Sequence, residues 1–187
     1  MLVSAYATGA FPMAVNQRGD IRWFSPDPRA IIPLDDRFHI PHGLKRVLKK
    51  NPFEVTVNQD FPAVIEACSQ AHGETWISPE IIRSYSVLQK QGFAHSVETR
   101  RHGELVGGLY GVALGGAFFG ESMFHRATDA SKAALVALVE RLRARGFTLL
   151  DTQWTTPHLI QFGATEIPQQ DYLKLLLAAL PLPCRLD

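Results

Sequence analysis

Cysteine is scarce in this chain, with only Cys68 and Cys184 in 187 residues. That pair matches neither a disulfide framework nor a thiolate metal site, so a reducing compartment is expected. Excess charge of one sign is lacking too: 19 Lys and Arg stand against 18 Asp and Glu, a net charge of +1. A chain so near neutrality is not a strong nonspecific nucleic-acid binder, although local clustering still counts. No apolar run approaches the roughly 18–20 residues that span a bilayer. The opening residues, MLVSAYATGAF, have no basic n-region and no long h-region, so they read as mature structure, and a cytoplasmic protein independent of membranes is expected. Internal repeats and low-complexity tracts are absent. What remains is ordinary globular composition, 46% hydrophobic and 20% charged, enough for one domain with a sizeable core, with or without a small appendage.

The most informative stretch is 105–126, LVGGLYGVALGGAFFGESMFHR. Val, Leu, Tyr and Phe alternate with small residues, and Gly115-Gly116 supplies a turn, which predicts two strands joined as a hairpin. Gly107, Gly108, Gly111, Gly115, Gly116 and Gly120 crowd this hairpin. Glycine weakens strands unless a backbone or ligand must come close. Glu121 then stands at the end of an otherwise apolar strand, where a buried carboxylate costs several kcal/mol unless paired. A surface salt bridge at the strand end is the competing reading.

Along the rest of the chain, residues 2–8 read as a short helix stopped by Gly9, with Phe11-Pro12 as a turn. Residues 13–36, rich in Pro, Asp and Gly, read as an irregular segment anchored by Trp23 and Phe24, or using them as a stacking platform. IPHGLKRVLKK, residues 40–50, is an amphipathic helix whose Lys45, Arg46, Lys49 and Lys50 form either a solvated face or a phosphate-binding one. A strand at 53–57 and a helix at 61–70 follow. Ser78-Pro79 opens a helix that ends at Gly92. Strands at 94–100, 104–113 and 117–125 precede a helix capped by Thr128 or Asp129 and stopped by Gly146. FTLLDTQW, 147–154, is a buried strand carrying Asp151 and Gln153 two apart, hence on one face. A short helix at 157–162 and a final one at 171–180 complete the chain.

This order predicts an α/β (α+β) architecture, a mixed, mainly antiparallel sheet flanked by helices; it resembles the order of the GNAT fold, which implies a sheet splayed between its fourth and fifth strands. A short N-terminal subdomain would occupy 1–36 and the GNAT-like domain 37–187. The strings FSPDPRAIIPL, ETWI, LVGGLYGVALGGAFFGESMF, ASK, LLDTQ, HLIQFGA and EIP, in that order, resemble the leucyl/phenylalanyl-tRNA–protein transferase family over nearly all of Tyr6 to Leu177.

The resemblance implies an enzyme that moves Leu, Phe or Met from aminoacyl-tRNA to the N-terminal Arg or Lys of an acceptor protein, creating a substrate of the N-end rule pathway. It implies no metal, no coenzyme A and no other cofactor, because the tRNA ester is already activated. By similarity, Glu121, Asp151 and Gln153 are the catalytic residues, Asp151 polarising Gln153 or holding the acceptor ammonium. Leu109, Phe118, Gly120, Ser122, Leu138 and Leu150 match the aminoacyl pocket, though each apolar one is also an ordinary core residue by pattern. Trp76 and Met13 match the surface for the 3′-terminal adenosine, and His42, Arg46, Lys49 and Lys50 the acceptor-stem cluster. The chain departs from better-known members at Met13 and Arg100, where they carry Trp, and at His42, where they carry Arg. A monomer is expected.

Two other readings compete. An acetyl-CoA N-acetyltransferase would place a Gly-rich turn at the start of the helix after the hairpin. Arg126-Ala127-Thr128-Asp129-Ala130-Ser131 has no glycine and an acid in the path, which argues against coenzyme A. A non-catalytic tRNA- or degron-binding module would share the fold and the basic helix, yet leaves Asp151, Gln153 and Glu121 without a purpose.

Overall fold

A computed structural model describes residues 2–16, 18–71 and 75–187; Glu74 of the ETWI string lies outside them. The chain begins with helix α1 (Leu2–Ala7), then strands β1 (Phe11–Ala14), β2 (Ile21–Phe24) and β3 (Arg29–Ile32). Helix α2 (His42–Lys49), β4 (Glu54–Val57), α3 (Phe61–Gln70) and α4 (Pro79–Lys90) follow. Next come β5 (Ala94–Arg101), β6 (Glu104–Leu114), β7 (Ala117–His125), α5 (Ala130–Ala144) and β8 (Leu149–Gln153). The chain closes with α6 (Pro157–Ile160), β9 (Thr165–Ile167) and α7 (Gln169–Ala179).

Seven strands form one mixed sheet in the order β4-β5-β6-β7-β8-β3-β9, while β1 and β2 pair separately. All neighbours in the large sheet are antiparallel except β7 and β8, which α5 connects in parallel. The expected mixed, mainly antiparallel sheet flanked by helices is therefore present. Strand alternation divides its side chains between two cores. Tyr110, Phe119 and Leu149 pack with α1, α3, α4 and α7. Leu109, Phe118 and Leu150, one residue away in each case, pack with α2 and α5.

The N-terminal quarter differs from its sequence reading. Phe11-Pro12 is not a turn but the start of β1, and 13–36 contains two strands in addition. Ala30 and Ile31 pair with both β8 and β9, so the partners that make β3 a strand are more than 100 residues away and leave no local signal. Phe24 does anchor the segment, stacked 6.2 Å from Phe11. Trp23 does not, being 46% exposed. Strand β9 was also unread, because three residues are too short to show a period. Asp129 precedes α5 at a left-handed φ of 65° without a side-chain cap; its carboxylate accepts instead from Lys132 Nζ at 2.8 Å.

Two features open the sheet. Strands β7 and β8 pair only from Ala117–Leu149 to Phe119–Asp151 and then diverge. On the other side of β7, Gly111 faces Gly120 while Tyr110 faces Ser122, leaving Glu121 as the extra residue of a bulge. A bulge bends its strand and re-aims the extra side chain. Glycine is required there: a Cβ on Gly111 would lie 2.2 Å from the Phe119 carbonyl oxygen and 2.5 Å from the Phe118 ring. Among the described residues no helix is long and apolar enough to cross a membrane.

Gly111→Ala is expected to destabilise the fold by about 1–3 kcal/mol through overpacking at the bulge. Gly43→Ala, on α2 with nothing within 4 Å of the added methyl, should instead gain about 0.5 kcal/mol from helix propensity. Urea unfolding of the two variants checks both signs.

Candidate active site

The divergence of β7 from β8 opens a cavity of about 540 Å³. Leu109, Tyr110, Gly120, Glu121 and Ser122 of β6 and β7 form one wall. Ser131, Leu135 and Leu138 of α5 form the floor, and Leu150, Thr152 and Gln153 of β8 the opposite wall, continued by Trp154, His158 and Leu159. Phe11, Met13 and Trp76 reach it from β1 and from the segment before α4. The last two are brought together because the Ala14 N–H donates to the Trp76 carbonyl at 3.3 Å. Just beyond, the Ser78 hydroxyl accepts from the Ile81 N–H at 3.3 Å and starts α4 with Pro79 in its first turn, as the sequence predicted. The same cap geometry, Thr156 accepting from Leu159 N at 3.2 Å ahead of α6, sets His158 and Leu159 over the cavity.

Among the described residues, four buried side-chain polar atoms have no hydrogen-bond partner: Tyr110 Oη, Thr152 Oγ1, Gln153 Nε2 and His158 Nε2. All four belong to residues lining this one cavity. An unpaired buried polar group costs about 1–3 kcal/mol, so four around a single space mark it as built to receive a polar ligand. The leucines between them make the same space largely apolar.

Glu121 is half-buried in the cavity wall. Its carboxylate accepts from Tyr6 Oη at 2.7 Å and Tyr85 Oη at 3.1 Å, and the two phenols also touch each other. Burial raises its pKa to about 7, against the two phenol hydrogen bonds, which lower it, and with a smaller push upward from Asp151. His158 is shifted the other way: burial, helped by Lys132 and His125, lowers its pKa and keeps the ring neutral.

Asp151 does not line the cavity. It is wholly buried behind it, where Oδ1 accepts from Arg29 Nε at 2.9 Å and Oδ2 from Arg29 Nη2 at 2.6 Å and Tyr172 Oη at 2.8 Å. Oδ1 accepts in addition from the Gln153 backbone N–H at 2.9 Å. The alternation argument that put Asp151 and Gln153 on one face is thus corrected. Gln153 adopts a left-handed φ of 60° and the register against β3 shifts between Ala30 and Ile31, which turns the glutamine toward the cavity and leaves the aspartate behind.

Of the other residues singled out from the sequence, Leu109, Gly120, Ser122, Leu138, Leu150, Trp76 and Met13 line the cavity. Phe118 is fully buried in the core beneath it and has no surface there. His42, Arg46 and Lys49 on α2 and Lys50 just after it are exposed and are not among the lining residues. Among the described residues, Lys45, Arg46, Lys49 and Lys50 enter no ion pair. Sequence reasoning missed Arg29, Tyr172, Tyr6, Tyr85 and Trp154. Tyr85 was hidden because Ile81, Tyr85 and Leu88 follow the spacing of an ordinary helix core. Tyr6 falls in a six-residue helix too short for a period, and nothing local marks Arg29 as the partner of a residue 122 positions on.

Comparison with known proteins identifies the family. Residues 31–177 match the family described as leucyl/phenylalanyl-tRNA protein transferase, and residues 1–27 match its N-terminal domain. Proteins named leucyl/phenylalanyl-tRNA–protein transferase are similar over almost the whole chain. The one from Akkermansia muciniphila is 59% identical, covering 96% of this chain and 94% of its own. Those from Herpetosiphon aurantiacus and Salinibacter ruber are 56% and 54% identical, each over 96% of this chain and over 93% and 79% of their own. Identity of this order along both chains, with two family models in the right order, is decisive: the chain belongs to the leucyl/phenylalanyl-tRNA–protein transferase family and is an aminoacyltransferase.

Proposed function

We propose that this protein transfers Leu, Phe or Met from aminoacyl-tRNA onto the N-terminal Arg or Lys of acceptor proteins, giving them the destabilising N-terminus read by the N-end rule pathway. The observation that carries this reading is the cavity between β7 and β8, apolar at its floor and edged by Glu121 and the unpaired amide of Gln153. Leu109, Leu135, Leu138 and Leu150 suit an unbranched-at-Cβ aliphatic or aromatic side chain. Since one methylene is worth only about 1–3 kcal/mol, rejection of Ile and Val falls to shape near Cβ. Trp76, beside Met13 at the mouth, offers a stacking face for the terminal adenosine, worth about 1–3 kcal/mol. The unpaired cations of α2 suit backbone phosphates of the acceptor stem, a sequence-independent and salt-sensitive contact.

The reaction is aminolysis of an ester. The acceptor α-amine attacks the aminoacyl carbonyl, the bond to the ribose oxygen breaks, and the released 3′-hydroxyl takes a proton while a peptide bond forms. An N-terminal ammonium has a reference pKa of about 7.7–8.0 and must first lose its proton. A carboxyl poised near 7, as Glu121 is, is matched to accept it. Glutamine is a poor base, so Gln153 serves by orienting amine and carbonyl.

The raised pKa of Glu121 has a definite sign for stability. From about its ordinary 4.5 to about 7 the native state keeps a proton that the unfolded chain has released, so this group makes the fold less stable as pH rises through that window. Glu121→Gln removes the effect. The variant should gain stability relative to the parent between pH 5 and pH 8, read by chemical unfolding at both. Its transfer rate should fall about 10²–10⁴-fold and lose the rise with an apparent pKa near 7. Equal pH dependence in parent and variant would remove Glu121 from the proton path.

Substrate class is tested by radiolabelled Leu-tRNA offered to peptides beginning with Arg, Ala or Asp, beside acetyl-CoA as donor. Transfer to the Arg peptide alone is expected; acceptance of the Asp peptide would reassign the acceptor, and activity only with acetyl-CoA would reject the donor. For the basic helix, Arg46→Glu should weaken tRNA binding at low salt and flatten the dependence of binding on salt, by a slope of about one per lost phosphate contact. An unchanged slope would take α2 out of the interface.

A further inference from the structure

Gln153 is held in a left-handed conformation that costs a residue with a Cβ about 1–3 kcal/mol. Its N–H is fixed by Asp151 Oδ1 at 2.9 Å. Among the described residues that carboxylate receives four hydrogen bonds: two from Arg29, one from Tyr172 and one from Gln153. Both oxygens are engaged and the side chain is fully buried, so Asp151 has no free face for a substrate. Whatever it contributes passes through Gln153.

The groups behind Asp151 are held as firmly. Arg29 is 1% exposed and donates its remaining Nη1 to the Gly9 carbonyl at 2.8 Å. Its guanidinium carbon lies 4.9 Å from the Phe11 ring centre and 4.5 Å from that of Tyr172. Gly9 follows α1, Arg29 lies on β3, Tyr172 on α7 and Asp151 on β8, so four separate segments meet around one ion pair. A buried ion pair is weak evidence for stability as such, because apolar residues of similar volume often serve the fold as well. One that ends on the strained backbone of a cavity-lining glutamine has a use for its directionality.

We propose that Arg29 and Tyr172 are positioning residues for the transfer reaction: by locking the Asp151 carboxylate they fix the Gln153 backbone amide, and with it the aim of the Gln153 side chain into the cavity. The proposal rests on the reading that Gln153 meets the reacting groups. It differs from a purely structural role in one respect. Loss of Arg29 or Tyr172 should slow the reaction only while Gln153 is present to be misplaced.

The test is a double-mutant cycle on the full chain. Tyr172→Phe keeps the ring over Arg29 and removes one hydrogen bond to Asp151. It should lower kcat about 3–10-fold with KM for Leu-tRNA and Arg peptide little changed. Arg29→Lys, which cannot grip both carboxylate oxygens in a planar fork, should lower kcat about 10–100-fold. In a Gln153→Ala background, itself impaired, Tyr172→Phe should leave kcat unchanged, while the midpoint of urea unfolding drops equally in both backgrounds. If Arg29→Lys fails to fold, Tyr172→Phe carries the cycle alone. The same fold-loss of kcat in both backgrounds, or no loss in Tyr172→Phe, would overturn the proposal while leaving the role of Gln153 intact. A Gln153→Ala protein with the parent's kcat would overturn that role and this proposal together.

Discussion

The structure turns on one buried ion pair. Arg29 meets Asp151 at the last point where β8 is still beside β7, and from there the sheet comes apart. Removing either partner would leave an uncompensated charge in the core, at a cost of about 3–5 kcal/mol. Because the pair also draws in Tyr172 and the carbonyl of Gly9, it ties α7 and the start of the chain to the sheet at the same place. The N-terminal segment is thereby part of the site's scaffold, and its Phe11 and Met13 line the cavity.

Glu121 and Asp151 face opposite circumstances a few residues apart on neighbouring strands. Asp151 has a cation against both its oxygens. Among the described residues Glu121 is hydrogen-bonded by two phenols, which bring no charge, so burial dominates and its proton is held until about pH 7. Two carboxyls in different environments suit different tasks: one holds a backbone amide in place, and the other, in the function we propose, exchanges a proton. The bulge at Glu121 and the left-handed turn at Gln153 are the backbone counterparts of that division, each aiming one side chain at the shared space.

Much of this was legible in the residues. The hairpin of β6 and β7, the helices α3, α4 and α5, and strand β8 were read within a few residues of their bounds, because each combines a clear period with a turn or cap. The glycine-rich hairpin pointed to a close approach, and Gly111 against the Phe119 carbonyl is that approach. Of the residues matched by resemblance to the aminoacyl pocket, all line the cavity except Phe118, whose place one residue along from Phe119 puts it in the core beneath. Where the reading failed, the cause was long-range. Strand β3 owes its existence to β8 and β9, and the periodic rule for Asp151 and Gln153 broke at a single non-repeating φ.

By itself, then, the sequence determined the class of sheet, the order of its central elements, the family, and which residues compete for the chemistry, since these follow from periodicity, turn chemistry and motif strings that are local in the chain. Tertiary structure alone decided which carboxyl faces the cavity, that Arg29 and Tyr172 stand behind Asp151, and that Tyr6 and Tyr85 hold Glu121. The reason is physical: burial, hydrogen-bond geometry and the pKa of a carboxyl depend on what surrounds it in space, and here the surroundings come from segments up to 122 positions apart.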